Sequence, residues 1–213
     1  MGDFSPQMIY VGVLQYCILL FSLVFHEFGH AWTALQCGDP TAKQMGRVTL
    51  NPAAHIDPIG TVLFPLIQIF SGVPLIGWAK PVPVNTRNLS NPRRDFMIVA
   101  AAGPISNLAQ AILASLVLMI LPGGETSMAS GMTPADLVFT FMLLNVTLAV
   151  FNMIPVPPLD GGNVLAGILP ESAARLIDGL RQYGFVILYA LLLTGVLSSI
   201  MLPIRNAIMR WLL

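Results

Sequence analysis

Long apolar segments limit the fold of this chain more than any other feature of its sequence. A helix needs about 20 apolar residues to cross the hydrocarbon core of a bilayer. Four segments meet this length: residues 8–36, 96–121, 137–155 and 183–202. Charged residues make up only 9% of the 213 residues, whereas a soluble domain carries about 25%. The sequence therefore predicts an integral membrane protein.

A fifth apolar segment, residues 59–78, is interrupted by residues that break helices. Proline and glycine disfavour a straight helix. The segment contains five of them, namely Gly60, Pro65, Gly72, Pro74 and Gly77. These interruptions make it ambiguous whether the segment crosses the membrane.

Residues 78–85 carry Pro81 and Pro83 in an extended, alternating pattern that is typical of an edge strand or hairpin. The predicted fold class is an all-α integral membrane protein, a polytopic helical bundle with a small β-hairpin or strand element. We expect about four to six membrane segments, one of them re-entrant. Residues 1–213 are predicted to form a single domain with a C-terminal helix at about 183–202.

Charge and cysteine content exclude other classes of protein. The ten Lys and Arg balance the ten Asp and Glu. They lie in connecting segments rather than in a basic stripe, so no nucleic-acid partner is expected, and the lipid bilayer is the predicted surrounding. Cys17 and Cys37 have the spacing of neither a disulfide framework nor a metal site. The N-terminus lacks the basic region of a signal peptide, so the first apolar segment is expected to be retained.

The motif H-E-F-G-H lies inside the first apolar segment. On a helix, His26 and His30 share one face and can reach one metal ion, while Glu27 lies close enough to handle a proton of water. The alternatives are a chance match, or histidines that only bond to neighbouring helices. An ionisable group at membrane depth costs about 2.5–3.5 kcal/mol, and a divalent cation would compensate this cost. We therefore favour a metal site.

Two histidines leave a catalytic zinc ion short of ligands, because such sites usually use three protein ligands and keep one open position. His55 is the only other histidine of the chain. Asp160 follows an apolar helix within P-P-L-D-G-G, where proline and glycine would open the backbone and hold a carboxylate at a helix end. D-G is also a common turn dipeptide, so spacing alone leaves Asp160 open between a ligand and a turn residue.

Five motifs, taken together and in order, resemble the site-2 protease family of intramembrane zinc metalloproteases, in its short form without PDZ or CBS modules. They are H-E-F-G-H, N-P-A-A-H-I-D-P-I-G at 51–60, G-W-A-K-P-V-P-V-N at 77–85, A-A-G-P-I-S-N at 101–107 and F-N-M-I-P-V-P-P-L-D-G-G at 151–162. The resemblance implies a catalytic core at about 8–165 and one Zn²⁺ per chain. It implies that His26, His30 and Asp160 bind zinc and that Glu27 is the catalytic base.

Three further residues are candidates for contact with substrate or with a developing oxyanion. The resemblance implies that Asn152 lies near the active site. His55 is assigned either a place on the substrate path, where it would also order its loop, or a purely structural role. Asn107 is expected to bond to unwound backbone or to the active site, because an amide in a membrane helix seeks a partner.

The metal site also restricts the topology. A helix that starts near residue 8 carries His26 about 27 Å along its axis, toward the far face of the membrane. Asp160 follows the end of a helix that starts near residue 137. The two helices must then run in the same direction, which requires residues 59–78 to be re-entrant or interfacial.

The positive-inside rule gives the orientation. With residues 59–78 re-entrant, most Lys and Arg lie on one side, and residues 122–134 on the other side contain none. Arg205 and Arg210 are the exceptions, because this topology places them on the other side. We expect a multi-pass protein of the cell membrane, with the N-terminus outside and the active site within the bilayer near the cytoplasmic side.

The leading functional hypothesis is a zinc endopeptidase that cuts transmembrane segments of other membrane proteins, to release a regulator or to clear signal-peptide remnants. The alternative is a proteolytically silent membrane scaffold that binds such substrates, although retention of Glu27 argues against it. An ion transporter would need polar residues repeated along several helices. A prenyl-protein type of zinc protease would lack the distant L-D-G and G-P-x-x-N elements.

Overall fold

The computed structural model describes residues 6–71, 77–121 and 133–213. The long helices are α1 (Pro6–Gln36), α4 (Pro92–Ile120), α5 (Pro134–Asn152) and α9 (Val196–Leu212). Shorter helices are α2 (Thr41–Gln44), α3 (Phe64–Ser71), α6 (Asp160–Ile168), α7 (Glu171–Leu180) and α8 (Gly184–Leu193). A π-helical turn (Pro58–Leu63) leads into α3, and 3₁₀ turns lie at Pro52–Ala54, Thr86–Asn88 and Arg181–Tyr183.

Four stretches of the described residues are long and apolar enough to cross a membrane, namely Ile9–Gln36, Pro92–Ile120, Pro134–Asn152 and Glu171–Leu193. The chain is therefore a multi-pass membrane protein, and the prediction of a helical membrane bundle is confirmed. Outward-facing apolar side chains, such as Ile120 and Leu193, are largely exposed in the isolated chain, as expected where lipid replaces water.

Contacts among α1, α4 and α5 give the directions of these helices. Val99, early in α4, contacts His30, whereas Asn107, two turns later, contacts Ser22. Helix α4 is therefore antiparallel to α1. In α5, Phe141 packs on Phe21, and residues near the end of α5 line the same cavity as His30. Helix α5 thus runs parallel to α1, the arrangement that the topology argument required.

The described ends of the interrupted segment 59–78 lie side by side, whereas Gly72 and Pro74 lie outside the described residues. Its helical part, Pro58 to Ser71, spans about 21 Å at 1.5 Å per residue, which is shorter than the hydrocarbon core. The Trp78 N–H donates to the Gly60 carbonyl at 3.3 Å, and the Thr61 hydroxyl donates to the Trp78 carbonyl at 2.8 Å. The segment therefore starts and ends beside Gly60, as a re-entrant segment does.

The predicted β-hairpin or strand is wrong, because no strand occurs in the described ranges 6–71, 77–121 and 133–213. The backbone of residues 78–85 is bonded to side chains and turns instead of to a neighbouring strand. The Lys80 N–H donates to the His55 carbonyl, and the Val82 and Asn85 N–H groups donate to carboxylates. Pro81 and Pro83 supply no N–H, so a regular ladder on this segment would be incomplete.

The predicted single C-terminal helix at 183–202 is also wrong. Helix α8 ends at Leu193, and α9 begins at Val196 after Gly195, whose φ of 76° is left-handed and disfavoured for other residues. Helix α9 then runs antiparallel to α5. Its start packs near Ile154, and the Leu212 carbonyl accepts a hydrogen bond from Ser115 near the end of α4. The chain therefore ends far from the start of α4.

Asp39 connects the end of α1 to residues 78–85, which are called the extended segment below. Its buried carboxylate accepts hydrogen bonds from the Asn85 N–H at 2.7 Å, the Asn88 amide at 2.8 Å and the Thr41 N–H at 3.1 Å. Burial alone would raise the pKa of Asp39, but hydrogen bonds from Thr41, Asn88 and Asn85 outweigh it and hold this pKa below its ordinary value. The carboxylate is therefore charged, and it holds the extended segment by accepting a hydrogen bond from the Asn85 N–H.

We predict that Asp39→Ala lowers the free energy of unfolding by about 1–3 kcal/mol, because several hydrogen bonds to a buried, charged acceptor are lost. A depressed pKa stabilises the fold above the ordinary value near 4, and this stabilisation is lost as pH falls through the folded-state pKa. The difference between variant and wild type should therefore shrink in acid. Thermal unfolding in detergent micelles measures both effects, with exposed Glu171→Ala as the control. Equal melting of Asp39→Ala and wild type at neutral pH would contradict the assignment.

Candidate metal centre

Helix α1 presents His26 and His30 one turn apart, on the face that packs against α4. Their Nε2 atoms are 3.0 Å apart, and both side chains are buried. Gly103 of α4 lies directly against the two rings. A Cβ atom at Gly103 would come within 2.6 Å of His26 Nε2 and would also clash with His30. The missing side chain of Gly103 therefore leaves the space into which both imidazoles point.

Asp160, the first residue of α6, brings a carboxylate to the same point. Its Oδ2 atom lies 3.2 Å from His26 Nε2 and 3.4 Å from His30 Nε2. The next residue, Gly161, packs against the backbone at the end of α5, where a Cβ atom would overlap the Met153 carbonyl. This close approach of α6 to α5 sets Asp160 beside the histidines.

The other ring nitrogens of the two histidines face oxygen atoms. His26 Nδ1 lies 2.7 Å from the side-chain oxygen of Asn107, and His30 Nδ1 lies 2.7 Å from the Val99 carbonyl. An oxygen of this kind accepts, so each imidazole carries its proton on Nδ1 and keeps a lone pair on Nε2. Such outer hydrogen bonds are usual for metal-ligating histidines.

Three acceptor atoms consequently converge, namely the two Nε2 atoms and the Asp160 oxygen, all within 4.8 Å of one another. The buried Oδ2 atom of Asp160 has no hydrogen-bond donor among the described residues. Lone pairs at such distances repel one another unless a cation lies between them. Two imidazole nitrogens and one carboxylate oxygen form a donor set that a divalent metal ion accepts.

Glu27 lies on α1 between the two histidines and is also buried. Its Oε2 atom accepts a hydrogen bond of 3.1 Å from the Val82 N–H in the extended segment. The guanidinium of Arg47 donates to the carbonyls of Lys80 and Pro81, next to Val82 in the chain. The contacts of Arg47 hold the extended segment against Glu27. Glu27 therefore brings a second carboxylate to the metal centre, but it is not one of the three converging acceptors.

A cavity of about 640 Å³ opens beside the metal centre. Its lining includes the two histidines, Glu27 and Asp160, and the amides of Asn152 and Asn163 add two more polar groups. The rest of the lining is mostly apolar and includes Leu23 of α1, Trp78, Val82 and Val84 of the extended segment, Phe96 of α4, Phe151 of α5, and Phe185 and Leu188 of α8. The cavity, called the groove below, thus has a mostly apolar lining with a few polar groups at the metal centre.

The three further candidate residues, Asn152, Asn107 and His55, lie at different places relative to the groove. Asn152 lines the groove and donates to the Leu148 carbonyl at 3.0 Å. Asn107 contacts His26 rather than the groove. His55 lies apart from the three-acceptor group, and its Nε2 atom faces the Thr49 carbonyl at 2.8 Å. The His55 carbonyl accepts from the Lys80 N–H, which links the loop of His55 to the extended segment.

Sequence reasoning missed Ser22, Val82 and Asn145 as parts of this site. Ser22 and Asn145 are fully buried polar residues within apolar helices. A signal for Asn145 was available, because an amide at membrane depth must find a partner. Val82 contributes only its backbone N–H, which no residue pattern marks.

Helices able to span a membrane, together with a buried cluster of metal-ligating atoms, define the class: a multi-pass membrane protein with a candidate metal centre. The chain matches peptidase family M50 over residues 15–195. Because this match covers most of the chain, the protein belongs to peptidase family M50, and the resemblance to the site-2 protease family is confirmed.

Several curated relatives agree with this family. YwhC of Bacillus subtilis (strain 168) is 37% identical over 191 residues, which cover 89% of this chain and 84% of the relative. Rip2 of Mycolicibacterium smegmatis is 34% identical over 192 residues, 89% of this chain and 71% of the relative. Rip2 of Mycobacterium tuberculosis (strain H37Rv) is 33% identical over 203 residues, 93% and 74% respectively. All three are described as candidate zinc metalloproteases. No solved structure matches the chain significantly.

We predict that Gly103→Ala prevents metal binding, because the new methyl group occupies the space between the imidazoles. The bound divalent metal of purified protein, measured by elemental analysis, should fall at least 10-fold, a loss of the size that disturbing a metal site produces. Gly179→Ala is the matched control, since a Cβ atom there meets nothing within 4 Å. Full metal content in folded Gly103→Ala protein would show that the ion does not lie between these histidines.

Proposed function

We propose that this chain is an intramembrane zinc endopeptidase that hydrolyses peptide bonds in or near transmembrane segments of other membrane proteins. The convergence of His26, His30 and Asp160 beside Glu27 carries the proposal. The two histidines lie within a stretch that is long and apolar enough to cross a membrane. Membership of peptidase family M50 supports the reaction class.

Zinc is the metal that this donor set fits. Catalytic zinc sites use three protein ligands of histidine and carboxylate type and keep one position open. His26, His30 and Asp160 would hold one ion per chain, in the space that the missing Gly103 side chain leaves free. When bound, zinc polarises the scissile carbonyl and makes water a stronger acid. Relatives described as candidate zinc metalloproteases support the same metal.

Glu27 is the proposed catalytic base. Its carboxylate would take a proton from the attacking water and later deliver it to the leaving amine. The Val82 N–H already holds one carboxylate oxygen, which orients the group towards the groove. Asn152 lines the same groove and supplies an amide that could contact the substrate or the developing oxyanion.

The groove indicates the kind of substrate. Its apolar lining suits the aliphatic and aromatic side chains of a transmembrane segment, and its few polar groups would bond to the peptide backbone. An α-helical substrate has its amides in internal hydrogen bonds, so the cleaved bond must lie in a locally unwound stretch. We assign residues 8–165 as the catalytic core within a single domain of residues 1–213, with α7, α8 and α9 as supporting helices.

The distribution of positive charges supports a protein of the cell membrane whose metal centre lies near the cytoplasmic face. Cations on the loops and helix ends near the metal centre are Lys43, Arg47, Lys80, Arg87, Arg93 and Arg94. Arg210 lies towards the end of α9, on the side of Ser115 and therefore away from this group.

We predict opposite metal contents for two inactive variants. Glu27→Gln should reduce kcat about 10²–10⁴-fold, because the base is lost, and should keep about one zinc per chain. Asp160→Ala should lose both activity and zinc. Cleavage of reconstituted single-span substrates and elemental analysis measure the two quantities, with Glu171→Gln as a surface control. An active Glu27→Gln enzyme, or an Asp160→Ala protein with full zinc, would contradict the assigned roles.

We predict that the C-terminus and the extended segment lie on opposite sides of the membrane. Single cysteines at two exposed positions, Arg87→Cys and Leu213→Cys, test this in a Cys17→Ser, Cys37→Ser background. In intact cells, an impermeant maleimide should label only Leu213→Cys, and both should react after lysis. Labelling of Arg87→Cys in intact cells would reverse the proposed orientation.

A further inference from the structure

A buried chain of polar side chains joins three helices to His26. It consists of Ser22 in α1, Asn145 in α5 and Asn107 in α4, and all three side chains are fully buried. The Asn145 amide nitrogen lies 2.9 Å from Ser22 Oγ, and the Asn107 amide nitrogen lies 2.8 Å from Asn145 Oδ1. The side-chain oxygen of Asn107 then meets His26 Nδ1 at 2.7 Å. We call these three residues the polar relay.

Bonds to backbone carbonyls fix which atoms of the polar relay donate and which accept. The Ser22 hydroxyl donates to the Ile18 carbonyl at 2.9 Å, so its oxygen is left to accept from Asn145. The Asn145 amide nitrogen also donates to the Phe141 carbonyl at 3.0 Å. Because a carbonyl can only accept, the nitrogen of Asn145 must face Ser22 and Phe141, and its oxygen must face Asn107.

The same logic orients Asn107. Its nitrogen donates to the Asn145 oxygen and points to the Ser22 carbonyl at 3.4 Å, so its oxygen faces His26. This oxygen requires the proton of His26 to be on Nδ1, which leaves the Nε2 lone pair for the metal. An Asn107 amide turned by 180° would present its NH₂ group and would favour the other tautomer, with a proton on Nε2.

We propose that Ser22 and Asn145 are positioning residues for zinc, because they hold the Asn107 amide in the orientation that gives His26 its metal-binding tautomer. This inference rests on the proposed function. It makes the metal site depend on two residues that do not line the groove. His30 needs no such support, since its Nδ1 faces the Val99 backbone carbonyl, which cannot turn over. Only His26 should therefore respond when the polar relay is broken.

Nuclear magnetic resonance of ¹⁵N-histidine-labelled protein tests this difference directly. The chain has three histidines, and in metal-free full-length protein in micelles the ¹⁵N shifts of the two ring nitrogens report which of them carries the proton. We expect the Nδ1–H form for His26 and His30. His55 should show the opposite form, because its Nε2 atom faces the Thr49 carbonyl.

Two variants break the polar relay at different points. Asn145→Leu removes the donor and acceptor groups at similar volume, and Ser22→Ala removes one hydroxyl and provides the test if Asn145→Leu does not fold. His26 should shift towards the Nε2–H form in Asn145→Leu and to a smaller extent in Ser22→Ala, where the Phe141 carbonyl still orients Asn145, while His30 and His55 stay unchanged in both. Zinc affinity, measured by chelator competition, should fall about 10-fold, at the low end of the 10–100-fold that outer-shell residues contribute.

Thr147→Val is the matched control in the same helix. Its hydroxyl donates to the Leu143 carbonyl, outside the polar relay, so this variant should keep wild-type tautomers and zinc affinity. Unchanged His26 tautomer and zinc affinity in both relay variants would overturn the inference. Failure of wild type to bind one zinc would instead overturn the proposed function, because the tautomer is measured without metal.

Discussion

The convergence of three acceptor atoms at membrane depth is the constraint on which the rest of the structure depends. His26, His30 and Asp160 point lone pairs at one another within 4.8 Å, in a region where unpaired polar groups are expensive. A cation resolves this conflict, and several features of the fold leave room for one. Gly103 carries no side chain towards the rings, and Gly161 lets α6 start directly against the end of α5.

The two histidines reach the same tautomer by different means. His30 uses a backbone carbonyl of α4, which the helix itself holds in place. His26 uses a side-chain amide, whose orientation depends on the polar relay. Each residue of the polar relay therefore hydrogen-bonds to another polar side chain or to a carbonyl. Glu27 likewise depends on the backbone, because its carboxylate accepts a hydrogen bond from an N–H group of the extended segment.

Particular elements show where sequence reasoning succeeded and failed. The apolar segments and H-E-F-G-H were recognisable because segment length and i,i+4 spacing are local properties. Asp160 stayed open between a ligand and a turn residue, because local pattern cannot measure a distance across the fold. The strand at 78–85 was wrong since an alternating pattern does not supply a neighbouring strand. The helix at 183–202 was wrong since Gly195 takes a left-handed conformation there.

By itself, the sequence determined that the chain lies in a membrane, that α1 carries two histidines and a carboxylate on adjacent turns, and that its motifs are those of the site-2 protease family. These properties follow from composition and from spacing along one helix. Only the tertiary structure decided that Asp160 meets both histidines, that Val82 bonds to Glu27 and that Ser22 and Asn145 orient Asn107. The physical reason is that hydrogen bonds and ligand distances form between residues far apart in the chain, which the packing of α1, α4, α5 and α6 brings together.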